Sequence, residues 1–134
     1  MIDLSLLGDE HVRVYRETSG ERGYLWNGSP VLLLTTKGRR SGQLRTVPLI
    51  FTVYGESRAV IASRGGSPQH PAWYLNLLDE PRVQVQVKGD VYESQARVAD
   101  AREREQIWAA AVAHWPNYDV YQARTTRQIP VVIL

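Results

Sequence analysis

Residues Val31 to Leu49, VLLLTTKGRRSGQLRTVPL, constrain this chain more than any other stretch. An unbroken apolar run from Val31 to Leu34, bounded by turn residues, reads as a buried strand. Gly38 and Gly42 bracket Arg39, Arg40 and Ser41, and Arg45 follows. Pro48 then restricts Val47 to extended backbone ahead of a second β-branched and aromatic run, Leu49 to Tyr54. The pattern is strand, cationic turn, returning strand, and the rest of the chain has to build onto that hairpin.

Between Arg22 and Gly55 stand five cations (Arg22, Lys37, Arg39, Arg40, Arg45) and no acid, four of them within nine residues. A turn that only reverses the chain needs Gly, Asn or Asp. Gathering guanidinium groups costs self-repulsion that an anion relieves, and their forked donors suit phosphate or carboxylate. A solvated loop carrying solubility charge is the other reading of the same residues.

With 134 residues, 43% apolar and 22% charged, the chain is expected to form one domain with a real core. A net charge of +2 gives little general attraction for polyanions, so a basic site must be local and nucleic acid is not an expected partner. The absence of cysteine excludes disulfides, thiolate catalysis and sulfur-ligated metals, and suits a reducing cytoplasm. No apolar run approaches the roughly 18 residues of a membrane span, and no signal-peptide pattern opens the chain. The histidines at 11, 70 and 114 lack i,i+4 partners, which argues against zinc.

Met1 to Gly8 reads as a surface segment, and Val12 and Tyr15 give Asp9 to Thr18 the apolar side of a short helix ending near Gly20. Glu21 to Pro30 reads as loop, with Tyr24, Leu25 and Trp26 at a core edge. After the hairpin, a turn at Gly55 leads into a strand over Arg58 to Ser63. Pro71 suits the first position of a helix that puts Trp73, Asn76 and Leu77 on one side and stops near Pro81. Val83, Val85 and Val87 alternate with Gln84 and Gln86 as in a half-buried strand, and Gly89–Asp90 turns it into a partner over Val91 to Val98. Asp100 and Glu103 form a capping box for a helix with Ile107, Trp108, Ala111, Val112 and Trp115 as its stripe, ended by Pro116. Tyr118 and Tyr121 lie on a short following piece, and Ile129 to Leu134 closes the chain as a strand.

About six strands joined mostly by hairpins, with helices inserted late, predict an α+β, mainly β chain: an antiparallel barrel with flanking helices, not a doubly wound sheet. No GxGxxG or Walker-type loop is present, so a phosphate would have to be held by side chains and hairpin backbone.

Two glycine-and-arginine loops, at 38–45 and 63–66, can converge on one anion, with Trp73 as an aromatic wall and Asn76 as an amide donor and acceptor. Trp73 also suits an ordinary core position; an Asn inside a helix gains nothing from helix propensity. Trp115, Tyr118 and Tyr121, at i, i+3 and i+6, form either a lid under the last strand or a substrate wall with a phenol that holds its proton at neutral pH.

These segments together, LLLTTKGRRSGQLRTVPLIF, SRGGSPQHPAWYLNLLDEPRVQVQVKG and PNYDVYQARTTRQIPVVIL, resemble the deazaflavin-dependent nitroreductase family of flavin and deazaflavin oxidoreductases, over roughly Val31 to Leu134. The resemblance implies a split β-barrel related to FMN-binding barrels, with residues 1–30 as an N-terminal helix and loop and 31–134 as the cofactor-binding barrel. It implies coenzyme F420 as cofactor. Position by position, Arg39, Arg40, Ser41 and Gly42, with Arg45, would hold the phosphate and acidic tail. Val47 and Pro48 would line the deazaflavin. Ser63, Arg64, Gly65 and Gly66, with Trp73 and Asn76, would complete the cofactor contacts. Trp115, Tyr118 and Tyr121 would face the substrate, with Tyr118, then Tyr121, as the expected catalytic proton donor.

The chain departs from the family pattern in four ways. Arginine replaces a frequent lysine at 40 and 64. Ile50 stands where a tyrosine is frequent, Trp115 where a tyrosine is found, and the N-terminal segment is shorter than in members associated with membranes. The implied activity is hydride transfer from reduced F420 to a quinone, enone or nitro compound, in the cytoplasm, with at most weak peripheral contact with the inner membrane face. A non-catalytic carrier of lipid, haem or flavin in the same barrel mouth is the competing class. Single-strand nucleic-acid binding by a small basic barrel is a third, disfavoured by the low net charge.

Overall fold

The computed structural model describes residues 6–134, so most of the expected N-terminal surface segment, residues 1–5, lies outside the described residues. The chain begins with helix α1 (Gly8–Glu17) and a two-residue strand β1 (Leu25–Trp26). The long hairpin follows as β2 (Ser29–Lys37) and β3 (Leu44–Tyr54), returned by β4 (Ser57–Ile61). A single 3-10 turn (Arg64–Gly66) and helix α2 (Ala72–Asp79) lead to β5 (Arg82–Val87), β6 (Asp90–Gln95) and the two-residue β7 (Arg97–Val98). Helices α3 (Ala101–His114) and α4 (Asn117–Ala123) precede the last strand β8 (Val131–Ile133).

All strand pairs are antiparallel, in the order β6-β5-β2-β3-β4-β8-β7, with β1 beside β2. The first and last members of that order are joined through the single buried residue Ala96, whose N–H donates to the Pro81 carbonyl at 2.8 Å. The sheet therefore curls back on itself as a split barrel. Among the described residues there are eight strands where about six are expected, because β1 is a two-residue pairing and the anticipated 91–98 strand breaks at Ala96, passing from β5 to β8.

Apolar runs and alternating runs have different fates here. Leu32 and Leu34 of β2 face the barrel interior with Phe51, Val60, Val83 and Val85, while Val31 and Leu33 pack outward against Val12 and Tyr15 of α1. In β8, Val132 faces the interior while Val131 and Ile133 pack against Ile107 and Ala111 of α3. Both strands are buried on two faces, which is why their sequences do not alternate. Truncating a residue such as Leu33 to Ala would leave a cavity costing roughly 2–5 kcal/mol.

Specific contacts fix the helices to this barrel. The Tyr15 hydroxyl donates to the Val31 carbonyl at 2.9 Å and accepts from the Lys88 N–H at 2.7 Å, which pins α1 across two strands. Asp100 accepts from the Glu103 N–H at 2.9 Å, and the Glu103 carboxylate accepts from the Asp100 N–H at 3.2 Å, completing the capping box of α3. Pro71 precedes α2 instead of opening it; its backbone is extended, and its carbonyl accepts the first helical N–H bonds from Tyr74 and Leu75.

Candidate functional site

A cleft of about 670 Å³ opens beside β3, where that strand leaves the sheet interior. Val47 to Ile50 form one wall, and Ser63, Arg64, Gly65, Pro71 and Trp73 form the next. Trp115, Tyr118 and Tyr121, from the α3–α4 junction, line it as well. The N-terminal region contributes Leu7, Gly8, His11 and Trp26. Tryptophans 26 and 115 contact each other with ring centroids 5.3 Å apart, and the Trp26 indole donates to the Leu6 carbonyl at 3.0 Å.

The second glycine loop is shaped by backbone that ordinary residues avoid. Arg64, Gly65 and Gly66 all have positive φ, at 45°, 62° and 83°. A Cβ on Gly66 would sit 2.6 Å from the Tyr121 carbonyl oxygen, so glycine there lets the loop lie directly on α4. A Cβ on Gly65 would meet nothing within 4 Å, which leaves the backbone open towards a guest. Arg127 holds the loop from outside, its guanidinium donating to the carbonyls of Ala62, Ser63 and Ser67 at 3.2, 2.8 and 2.8 Å. It also donates to His70 Nδ1 at 3.1 Å; burial, then the Arg127 charge, holds the His70 pKa below its usual value.

The basic turn stands next to this cleft, not inside it. Arg39, Arg40, Ser41, Gly42 and Arg45 are exposed. The turn closes on itself: the Gly38 N–H donates to the Gln43 carbonyl at 2.7 Å, and the Ser41 hydroxyl accepts from the Gln43 N–H at 3.1 Å. It is tied to the cleft wall by Asn76, only 5% exposed, whose Oδ1 accepts from the Arg39 N–H at 3.1 Å. The Asn76 amide donates to the Thr36 hydroxyl at 3.2 Å. Trp73 and Asn76, on one side of α2, thus face the cleft and the turn respectively. Arg45 lies apart, in a groove between α1 and β3 shared with Arg16 and Thr46. Among the described residues, salt bridges engage Arg13 and Arg97, and none links Arg39, Arg40, Arg45 or Arg64 to an acid.

Of the cleft's tyrosines, Tyr118 is 5% exposed and Tyr121 half-buried, with rings 6.2 Å apart. Burial, with Tyr121 beside it, pushes the Tyr118 phenol far above the usual tyrosine range. It therefore acts as a hydrogen-bond donor that keeps its proton. Nine of the sixteen residues singled out from sequence line the cleft: Val47, Pro48, Ser63, Arg64, Gly65, Trp73, Trp115, Tyr118 and Tyr121. Gly66 and Asn76 sit immediately behind it, and the other five lie on the turn and the β3 groove.

Sequence reasoning missed His11, Trp26 and Arg127. Trp26 had a signal, an aromatic residue in a glycine-rich loop; His11 and Arg127 had none beyond their type. No group of three or more His, Asp or Glu side chains among the described residues is placed to hold a metal. No helix among them is long and apolar enough to cross a membrane.

The fit to a flat, anionic cofactor is good. Apolar strand residues and an indole flank the cleft, glycine backbone is left open at Gly65, and the adjoining cations lack acidic partners. The family described as F420H(2)-dependent quinone reductase matches residues 8–134. The chain is 35% identical over 128 residues to an F420H(2)-dependent quinone reductase of Mycobacterium tuberculosis (strain ATCC 25618 / H37Rv), covering 92% of this chain and 86% of that protein. A solved F420-H2 dependent reductase, FDR-A, is 43% identical with a TM-score of 0.71, covering 78% of this chain and 92% of that one. A domain-swapped dimer of known structure is 38% identical with a TM-score of 0.74, covering 93% of both chains.

Proposed function

The chain belongs to the F420H(2)-dependent quinone reductase family, and we propose that its 670 Å³ cleft is where hydride passes from reduced coenzyme F420 to a quinone. It is an F420-dependent oxidoreductase, and a non-catalytic carrier role is not favoured. One observation carries the assignment of the site: residues matching the cofactor-side motifs and residues matching the substrate-side aromatics line one and the same cleft.

When bound, F420 supplies the hydride. Val47 and Pro48 on one side and Trp73 on the other would hold the deazaflavin ring, and the open backbone at Gly65 would let it approach the loop. Ser63 and Arg64 would meet the polar chain leaving the ring. Arg39 and Arg40, on the turn that Asn76 fastens beside Trp73, would take the phosphate, and Arg45 the acidic tail along the α1–β3 groove. Planar guanidinium groups match phosphate and carboxylate geometry.

Trp115, Tyr118 and Tyr121 would stack against the acceptor. Reduction leaves negative charge on an acceptor oxygen, and the Tyr118 hydroxyl, protonated because it is buried, would donate a hydrogen bond there. Tyr121 is the second candidate for that contact. Enones and nitro compounds develop comparable oxyanions and are proposed as further acceptors. Because the F420 tail is charged and water-soluble, the reading implies action in the cytoplasm, with at most peripheral membrane contact.

The test is oxidation of reduced F420 by menadione with and without the protein, followed spectrophotometrically. Protein-dependent, saturable oxidation is expected. Binding of F420 without any transfer to menadione or a nitroaromatic would assign the cleft to a carrier instead.

A further inference from the structure

We propose that His11 delivers the proton that completes reduction of the acceptor. This rests on the function proposed above and adds to it a residue of α1, outside the motif segments 32–51, 63–89 and 116–134. His11 lines the cleft on the side of Trp26 and Trp115, yet it is only 3% exposed. Its Nε2 lies 2.7 Å from the Gly23 carbonyl oxygen. A carbonyl can only accept, so Nε2 carries hydrogen in every protonation state of the ring. Nδ1 is then the atom left to exchange a proton with a guest, accepting in the neutral ring and donating in the imidazolium.

The placement is built on both sides. The His11 N–H donates to the Leu7 carbonyl at 3.3 Å within α1. Gly23, at φ +97°, approaches so closely that a Cβ there would sit 3.1 Å from His11 Cδ2. The ring is thereby held in one orientation at the edge of a mainly apolar cleft. The buried Tyr118 phenol holds its own proton and serves as a hydrogen-bond donor, which leaves delivery of the proton to another group lining the cleft.

The quinone gains two electrons and one hydrogen as hydride, becoming a hydroquinone monoanion. The His11 Nδ1–H bond breaks, its proton forms the second hydroquinone O–H, and the ring is left neutral. Solvent returns a proton to Nδ1 and would take up the one proton that accompanies hydride loss from the reduced cofactor, so no other co-reactant is needed.

Two variants separate this role from a purely structural one. His11→Gln keeps an amide donor for the Gly23 carbonyl and loses proton exchange. His11→Asn puts its amide near the Nδ1 position and gives up the Gly23 contact. With menadione as acceptor, His11→Gln is expected to keep its Tm within about 2 °C while kcat falls about 100-fold or more, the ordinary worth of a positioned acid. A structural role predicts the reverse, an unimpaired His11→Gln and a damaged His11→Asn, and that result overturns the proposal. An independent readout needs no turnover: in ¹⁵N imidazole spectra of the wild type, menadiol should shift His11 Nδ1 more than Nε2. No such shift also overturns it. A wild type that leaves reduced F420 unoxidised fails the earlier reading, whereas an active His11→Gln fails only this one.

Discussion

Asn76→Leu separates the fastening of the basic turn from cofactor contact itself. The substitution preserves approximate volume in a buried helical position and deletes two hydrogen bonds, from the Arg39 N–H at 3.1 Å and to the Thr36 hydroxyl at 3.2 Å. Thr36 is 1% exposed, so its hydroxyl keeps no route to water, and an orphaned buried hydroxyl costs about 1–3 kcal/mol. Arg39 is exposed, so its N–H can turn to solvent and loses nearer 0.5–1 kcal/mol, a rough value for a replaceable bond. The sum is about 1.5–4 kcal/mol. A chain of 134 residues unfolds with an entropy of roughly 0.28 kcal/mol per kelvin, so Tm should fall by about 5–14 °C. Differential scanning fluorimetry without cofactor measures this directly, and F420 titration of the same variant should show weakened binding as the turn loosens. An unchanged Tm with lost F420 binding would mean that Asn76 works only by touching the ligand, and the clamp would be refuted.

Gly66→Ala forces a left-handed φ on alanine and drives Cβ to 2.6 Å from the Tyr121 carbonyl, so a loss of roughly 2–4 kcal/mol is expected in chemical denaturation. Tyr118→Phe should slow turnover with menadione while leaving F420 affinity nearly intact; unchanged turnover would show that the oxyanion contact lies elsewhere. The Glu103 carboxylate is held at about 2, chiefly by its bond to the Arg97 guanidinium and then by the Asp100 N–H. A carboxylate depressed in the folded state stabilises above its unfolded value, near 4.5, and loses that contribution as pH falls towards 2. Glu103→Gln should therefore flatten the pH dependence of Tm across that interval, and an unaltered slope would assign acid sensitivity to other groups.

Much of the scaffold could be read from residue order because its signals are local. The alternation at Val83, Val85 and Val87, the Asp100–Glu103 capping box and the stop at Pro116 each appear as expected. The hairpin runs further than its apolar core because Thr35, Thr36 and Lys37 pair with Thr46, Arg45 and Leu44, and polar residues extend a ladder without announcing it. The walls at Val47–Pro48, Ser63–Gly65 and Tyr118–Tyr121 were legible only as an ordered combination of motifs. Asn76 looked like a ligand contact because a helix interior gains nothing from it; its two protein bonds supply a second reason for its presence. His11 reaches the cleft because α1 docks on β2 through Tyr15, a contact across sixteen residues that no periodicity encodes, and Trp26 because the two-residue β1 pairs with β2. Arg127 was equally silent, since its three carbonyl acceptors lie some sixty residues away.

The most direct test is a titration of the protein with F420, beside FMN, followed by intrinsic tryptophan fluorescence in the wild type and in Arg39→Ala/Arg40→Ala. Saturable quenching by F420 is expected because Trp73 lines the cleft, and the double variant should bind at least about tenfold more weakly, as loss of charge-assisted contacts requires. Quenching that never saturates, or equal affinity in the two proteins, would contradict a cofactor site that joins this cleft to the basic turn.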